Sequence, residues 1–333
     1  MRLVFAAASI CLFLACPKAS AADDGYFEVE ARIDLPEVSG RIDHLAYDAA
    51  GQRLFVAELG NGSIDVVDTG SRAVVHRIDN LGEPQGIAWS PKFGRVYVAC
   101  GDGTVKAFAG AKLALSASTR VGSDADNLRI DERANRLYAG YGEGAIAVLD
   151  ATTLARVGDI GLEGHPESFQ MAPDARLLVN VPGAQQIALV DRELMRQTGA
   201  WPVGESRANF PLALDLANSR ALVVFRRPAG IASYRLTDGK VLGRATACAD
   251  ADDLFVDPRR RKIYIICGDG FVDVLDTALT RVARFRTTPG ARTGLYSPEA
   301  DRLFVAARAV GDVPAAVWVL APALSPKRDR PRP

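Results

Sequence analysis

Seven times along the chain a basic residue opens a short β-rich run: RLFVA at 53–57, RVYVA at 95–99, RLYAG at 136–140, RLLVN at 176–180, RALVV at 220–224, KIYII at 262–266 and RLFVA at 302–306. The intervals between them are 42, 41, 40, 44, 42 and 40 residues. So even a period marks a repeat architecture, in which each unit buries its apolar surface against the next. Four of the runs are followed by Asn61-Gly62, Asp102-Gly103, Glu143-Gly144 or Asp269-Gly270, and then by a second β-rich run ending at Asp68, Phe108, Asp150 or Asp276. The tetrapeptide CGDG, at 100–103 and again at 267–270, therefore reads as a strand end and its turn. Because Asn-Gly and Asp-Gly accept positive φ at both central positions, these pairs predict tight two-residue hairpins.

Upstream of each run lies an alternating one, with Leu45 and Tyr47, Ile87 and Trp89, Leu128 and Ile130, Phe169 and Met171, Leu212 and Leu214, Leu254 and Val256, and Gly294 and Tyr296 in register. Period-two apolarity predicts a strand with one buried face. A more polar fourth run follows each hairpin, as in AVVHRI at 73–78. Four strands per unit, seven times, is an all-β, seven-bladed β-propeller with four-stranded antiparallel blades. The seventh unit stops after its third strand, while FEVEARI at 27–33 stands alone, so the N-terminal strand is expected to complete the last blade and remove a sheet edge.

The chain of 333 residues begins with one Arg, an apolar run over 3–16 and the small-x-small triplet Ala19-Ser20-Ala21, the pattern of a signal peptide. The organisation expected is a signal peptide over 1–21, the propeller over 22–321 and a Pro-rich, disordered tail over 322–333. Export to the periplasm or the medium follows; lipidation at Cys16, in the sequence FLAC, is the lesser alternative. The apolar run is shorter than the roughly 20 residues of a membrane helix, and none later is as long, so no membrane span is expected. Lys plus Arg and Asp plus Glu number 40 each, with no basic run before the tail, which argues against nucleic acid as a partner.

The segments GRVYVACGDGTVKAF (94–108), KIYIICGDGFVDVLD (262–276) and RLFVAELGNGSIDVVD (53–68) resemble the YVTN β-propeller repeat family. The resemblance covers residues 26 to about 321. It implies the propeller fold and says little of function, because propellers host binding proteins, lactonases, lyases and electron-transfer enzymes. The sequence departs from the family pattern in that Asn180 alone supplies the Asn of the first strand.

In a propeller the first strand of each blade lines the central channel. Aligned on strand ends Asp48, Ser90, Asp131, Ala172, Asp215, Asp257 and Ser297, the position five upstream holds Asp43, Gln85, Asp126, Glu167, Phe210, Asp252 and Arg292. Seven upstream stand Arg41, Glu83, Asp124, His165, Ala208, Asp250 and Gly290. Both columns share the parity of the apolar inward positions and are expected to ring the channel mouth. Crowded carboxylates need a cation, a proton or an arginine. Arg41, Arg207 and Arg292 are the expected partners; the alternative is a divalent cation such as Ca²⁺ held by Asp43, Asp126, Glu167 and Asp252. Of three histidines, His44 and His165 fall at the mouth, where an imidazole suits general acid–base work, and His76 falls on an outer strand.

Gluconolactonase-type propellers hold a channel-mouth metal with carboxylate and amide oxygens, chemistry that Asp43, Asp126, Asn127, Glu167 and Asp252 could supply, yet those enzymes are usually six-bladed. Haem, copper, nucleophile-elbow and phosphate-loop motifs are missing. Cys248 enters the sixth blade on the face where Cys267 ends its second strand, so these two are expected to form a disulfide, with Cys100 a buried free thiol. The function expected is an exported, monomeric binding module without cofactor. It would take a small molecule or an envelope protein at the channel face through Asp43, His44, Gln85, Asp126, Asn127, His165, Glu167, Asp252 and Arg292. A metal-assisted lactonase or a lyase is the alternative, and a cell-envelope scaffold a further one.

Overall fold

A computed structural model describes residues 25–323. Seven four-stranded antiparallel sheets follow one another around a central channel, with strand order matching chain order in six of them. The innermost strands are Leu45–Asp48, Pro84–Ser90, Leu128–Asp131, Phe169–Met171, Arg207–Asp215, Ala251–Asp257 and Thr293–Ser297. The signal peptide and the basic end of the tail, both expected from the sequence, lie outside the described residues. No helix is long and apolar enough to cross a membrane.

In the seventh sheet Phe27–Leu35 pairs with Ala315–Pro322, from Phe27 opposite Pro322 to Leu35 opposite Ala315, as the solitary N-terminal run predicts. Burial favours this closure. Phe27 is 3% exposed and packs edge-on against Tyr264 and Phe285 of the sixth blade, so the first strand covers an apolar surface as well as an open sheet edge. Glu30 of the same strand pairs with Arg72 of the first blade and Arg302 of the last.

Two local expectations need correction. The hairpins are not two-residue turns: Arg95–Cys100 and Thr104–Ala109 are joined by three residues, and Gly103 alone is left-handed, at φ 83°. Its N–H donates to Cys100 O at 2.8 Å, a turn followed by a left-handed glycine. A side chain there would also strike Gly122 O, 1.7 Å from an ideal Cβ, so glycine is required twice over. The second correction concerns the alternating strands, which have two buried faces rather than one. In the first blade Leu45, Leu54 and Val56 pack with Phe304 and Ala306 of the seventh, while Ala46, Phe55 and Ala57 pack with Ile87, Val96 and Val98 of the second. Alternation here sorts side chains between two neighbouring blades, and the core is a ring of such interfaces.

Asn180, the lone Asn of the first-strand pattern, is fully buried and ties blade four to blade five. Its Nδ2 donates to Phe210 O at 3.0 Å and Pro211 O at 3.2 Å, and its Oδ1 accepts from Asn209 at 3.1 Å. Cys248 and Cys267 are bonded, with Cα atoms 5.8 Å apart, across the join between the sixth blade's entry and its second strand. Cys100, at the equivalent place in the second blade, is a buried free thiol whose pKa burial pushes up to about 11.

Candidate functional site: the channel mouth

Each blade delivers its chain to the innermost strand through a short extended entry, and the seven entries converge. A cavity of about 300 Å³ is lined there by Asp43, Gln85, Asp126, Glu167, Phe210, Asp252 and Arg292, one from every blade. Arg41, Asp124 and His165 from the position two residues earlier join them, with His44 and Arg226. Asn127 lies just inside, lining the channel below the mouth, and is 4% exposed. The repeat register thus brings together every residue of the expected mouth column. The earlier column is a turn position: Glu83, Asp124, Ala208 and Asp250 all have left-handed backbones, and Gly290 has φ 86°.

The basic side chains neutralise part of this ring. Arg41 donates to Asp43 at 3.0 Å, and Asp43 is 1% exposed. Asp252 is gripped from both sides, by Arg292 Nε at 2.8 Å and by Arg226, which also donates to Ala251 O at 3.0 Å. Asp250 stands 3.3 Å from both guanidinium groups. Arg226 lies over the Phe210 ring, 4.0 Å from its centre, fixing the guanidinium plane against the cavity wall. Gln85 Nε2 donates to Asp124 at 3.0 Å. His165 donates from Nδ1 to Gly142 O at 2.6 Å, with Asp124 at 3.9 Å.

Arg207 takes no part in this pairing; it is exposed and donates to Gly204 O and Ser206 O. Its expected role belongs to Arg226, which the sequence columns missed. A signal was present, because Arg226 stands in the repeat position held by Gly101, Gly142 and Gly268 in blades two, three and six. A long basic side chain replacing a turn glycine beside the mouth is a departure from the pattern that places a guanidinium over it.

Two carboxylates are left over. Asp126 and Glu167 have no ion pair or side-chain hydrogen bond among the described residues, and Asp126 Oδ1 is buried without a partner. Burial first, and then repulsion from Asp43 and Glu167, raises the Asp126 carboxyl to about 7. Burial, and then Asp252, does the same for Glu167, also to about 7. Asp252 is raised by burial too, with Arg226 and Arg292 opposing. His44 goes the other way from what burial alone would impose: its Nδ1 faces Asp253 at 3.5 Å, and that carboxylate outweighs desolvation and lifts the imidazole to about 10. At neutral pH His44 is an imidazolium held by its partner, suited to donating a proton or binding an anion and unsuited to being a base.

The four carboxylates offered as alternative metal ligands do not close on a common point. Among the described residues the one set of three candidate ligands with donor atoms within 4.8 Å of one another is Cys248, Cys267 and Asp269, where the two sulfurs are already bonded. As arranged, the mouth does not fit an ion held directly by three carboxylates.

No family model matches the chain, and no curated protein matches it. Solved structures do. The chain is similar to one in a structure of hydrazine synthase from Kuenenia stuttgartiensis, with a TM-score of 0.72 and 16% identity over 81% of this chain and 94% of that one. It is similar also to a chain in a crystal structure of the mitotic checkpoint complex, with a TM-score of 0.75 and 15% identity over 95% of this chain and all of that one. At such identities the likeness is one of fold, and the fold is a seven-bladed β-propeller, an architecture commonly used as a binding or scaffold module.

Proposed function

We propose that this protein is an exported binding module of the YVTN-repeat type that takes a small polar ligand at the mouth of its central channel. The observation that carries the reading is the pair Asp126 and Glu167: two carboxylates facing one polar cavity, with no ion pair or side-chain hydrogen bond among the described residues, each raised to about 7 by burial and neighbouring carboxylates even though His44, and Arg226 for Glu167, oppose the shift. Folding gains nothing from desolvating such groups. A ligand that brings hydrogen-bond donors or positive charge would satisfy both and return them to their ordinary ionised state. A cavity of about 300 Å³ suits a small molecule, and Phe210 is the one apolar residue among its lining. Export rests on the N-terminal sequence, and the family reading on the repeated strand, turn and strand segments.

The test is a thermal-shift and calorimetric survey of amine-bearing and polyhydroxylated small molecules against the wild type and the Asp126→Asn, Glu167→Gln double variant. Ligands of the mouth should stabilise the wild type, lose affinity in the double variant, and release protons on binding as the two carboxyls ionise. A ligand indifferent to the double substitution would place binding elsewhere. Stabilisation by Ca²⁺ that Asp126→Ala erases would favour the divalent-cation alternative and, with it, the lactonase reading.

A further inference from the structure

Two residues before the aligned positions Asp48, Ser90, Asp131, Ala172, Asp215, Asp257 and Ser297 the blades place Ala46, Ala88, Arg129, Gln170, Ala213, Phe255 and Leu295. All but Ala213 line a second cavity of about 360 Å³, inside the channel beneath the mouth. His44 lines both cavities and marks where they meet. Arg129 is the one charged side chain in this ring, and its environment differs from that of the arginines above it. Arg41, Arg226 and Arg292 each hold a carboxylate. Arg129 instead donates from Nη1 to Leu128 O at 2.6 Å, reaches Gln170 Oε1 at 3.4 Å through Nε, and lies 5.5 Å from the centre of the Phe169 ring. Among the described residues no carboxylate pairs with it. Burial pulls its pKa below the usual guanidinium value, and an arginine stays charged even so.

We propose that Arg129 marks a carboxylate subsite in the channel, where one carboxylate of a small ligand takes the free edge of the guanidinium, with Asn127, Ser168 and Gln170 as neutral neighbours. The planar fork of a guanidinium matches the two oxygens of a carboxylate. A monoanion balances the single unpaired charge. A dianion such as phosphate would carry excess charge past Asp126 and into a cavity that Asp253 also lines. Asp253 makes its direct contacts with His44, at 3.5 Å, and the Gly294 N–H, at 2.8 Å, and acts on Arg129 only through space, as Asp126 does. The subsite rests on the small-molecule reading for its route: the carboxylate enters through the mouth, leaving the other end of the ligand beside Asp126 and Glu167. That ligand is either a simple carboxylic acid or an amino acid whose ammonium group engages the mouth.

The experiment is a set of thermal melts in sodium acetate, in sodium chloride at the same concentration, and in 4-aminobutyrate. At about 100 mM the wild type should melt about 3 °C or more higher in acetate than in chloride. The difference should vanish in Arg129→Met. Gln170→Glu, which keeps Arg129 and sets a carboxylate beside it, should melt higher without added anion and lose the acetate response. Acetate no better than chloride, an acetate response retained in Arg129→Met, or a Gln170→Glu protein that melts lower and still responds would overturn the proposal. An added effect of 4-aminobutyrate that the Asp126→Asn, Glu167→Gln double variant removes, leaving the acetate effect, identifies an amino acid spanning both cavities. An Arg129-dependent acetate effect with no added effect of 4-aminobutyrate supports the carboxylate subsite and contradicts the reading of the mouth.

Discussion

The innermost strands carry acidic residues at both ends, and the two ends treat them oppositely. At the end away from the mouth, Asp257 is fully buried yet accepts from the Arg259 and Arg260 N–H groups, the Arg260 guanidinium and the Tyr264 hydroxyl, which together outweigh desolvation and hold its carboxyl below the usual value. Asp48 is clasped by Arg53 and the Gly51 N–H, and Asp215 by Arg220 and Asn218. These partners come from the turn and the strand that follow, two to seven residues along the same chain. At the mouth, Asp126 and Glu167 have no such local partner, and burial raises them instead. Residue type and burial do not separate structural carboxylates from site carboxylates; the presence of a partner built into the turn or strand that follows does.

That contrast can be broken most forcefully at Asp257. Asp257→Ala leaves the buried Tyr264 hydroxyl and two backbone N–H groups without their acceptor and takes one of two carboxylates from Arg260, which keeps Asp301, and should cost about 3 kcal/mol in urea unfolding. Asp126→Asn, at the other end, should cost nothing near neutral pH and gain about 1 kcal/mol by removing a desolvated charge. Equal losses at the two ends would erase the distinction. Asp252→Asn sharpens it, because Asp252 sits at the mouth but is paired: leaving Arg226 and Arg292 with the more exposed Asp250 alone should cost about 1–2 kcal/mol, showing that pairing rather than location decides.

The smallest expected effect concerns His44. Its folded pKa, about 10, lies above its ordinary 6.5, so its pairing with Asp253 stabilises fully below about pH 6.5 and is lost as pH rises toward 10. Asp253→Asn should cost about 1 kcal/mol at neutral pH, in keeping with a pair that is part-exposed, and should flatten that alkaline decline. Unfolding curves collected from about pH 6.5 to 9.5 would show it; an unchanged slope would mean that another group holds the imidazole.

The repeat made the fold legible in advance. Seven basic-apolar runs at even spacing gave the blade count, and the unpaired run at 27–33 gave the closure. The mouth ring was legible for the same reason, since in a repeat one register position is one place in space. What the sequence hid were departures within that register. Arg226 occupies a glycine position, and Arg129 sits between Leu128 and Ile130, where alternation suggests a residue packed away from the channel. Alternation misleads there because each blade is covered on both faces, so period two separates neighbours and not inside from outside. The turn type was hidden too: CGDG contains the Asp-Gly pair of a two-residue hairpin, but ladder pairing ends at Ala99 and Val105, and Gly103 alone takes the left-handed backbone.

Asp126 and Glu167 are expected to hold protons more tightly in the folded chain than in the unfolded one. Such groups stabilise fully below their ordinary carboxyl range and lose that contribution as pH rises through about 7. The measurement is the unfolding free energy of the wild type and of the Asp126→Asn, Glu167→Gln double variant between about pH 4.5 and 6.5, a window below the one in which His44 acts. The wild type should lose about 2–3 kcal/mol more across it than the double variant, which keeps the shallower decline that buried Glu58, raised to about 8, imposes on both. A wild type that holds steady or gains stability, or a double variant with the same decline, would contradict the claim that the mouth carries two carboxylates without a partner.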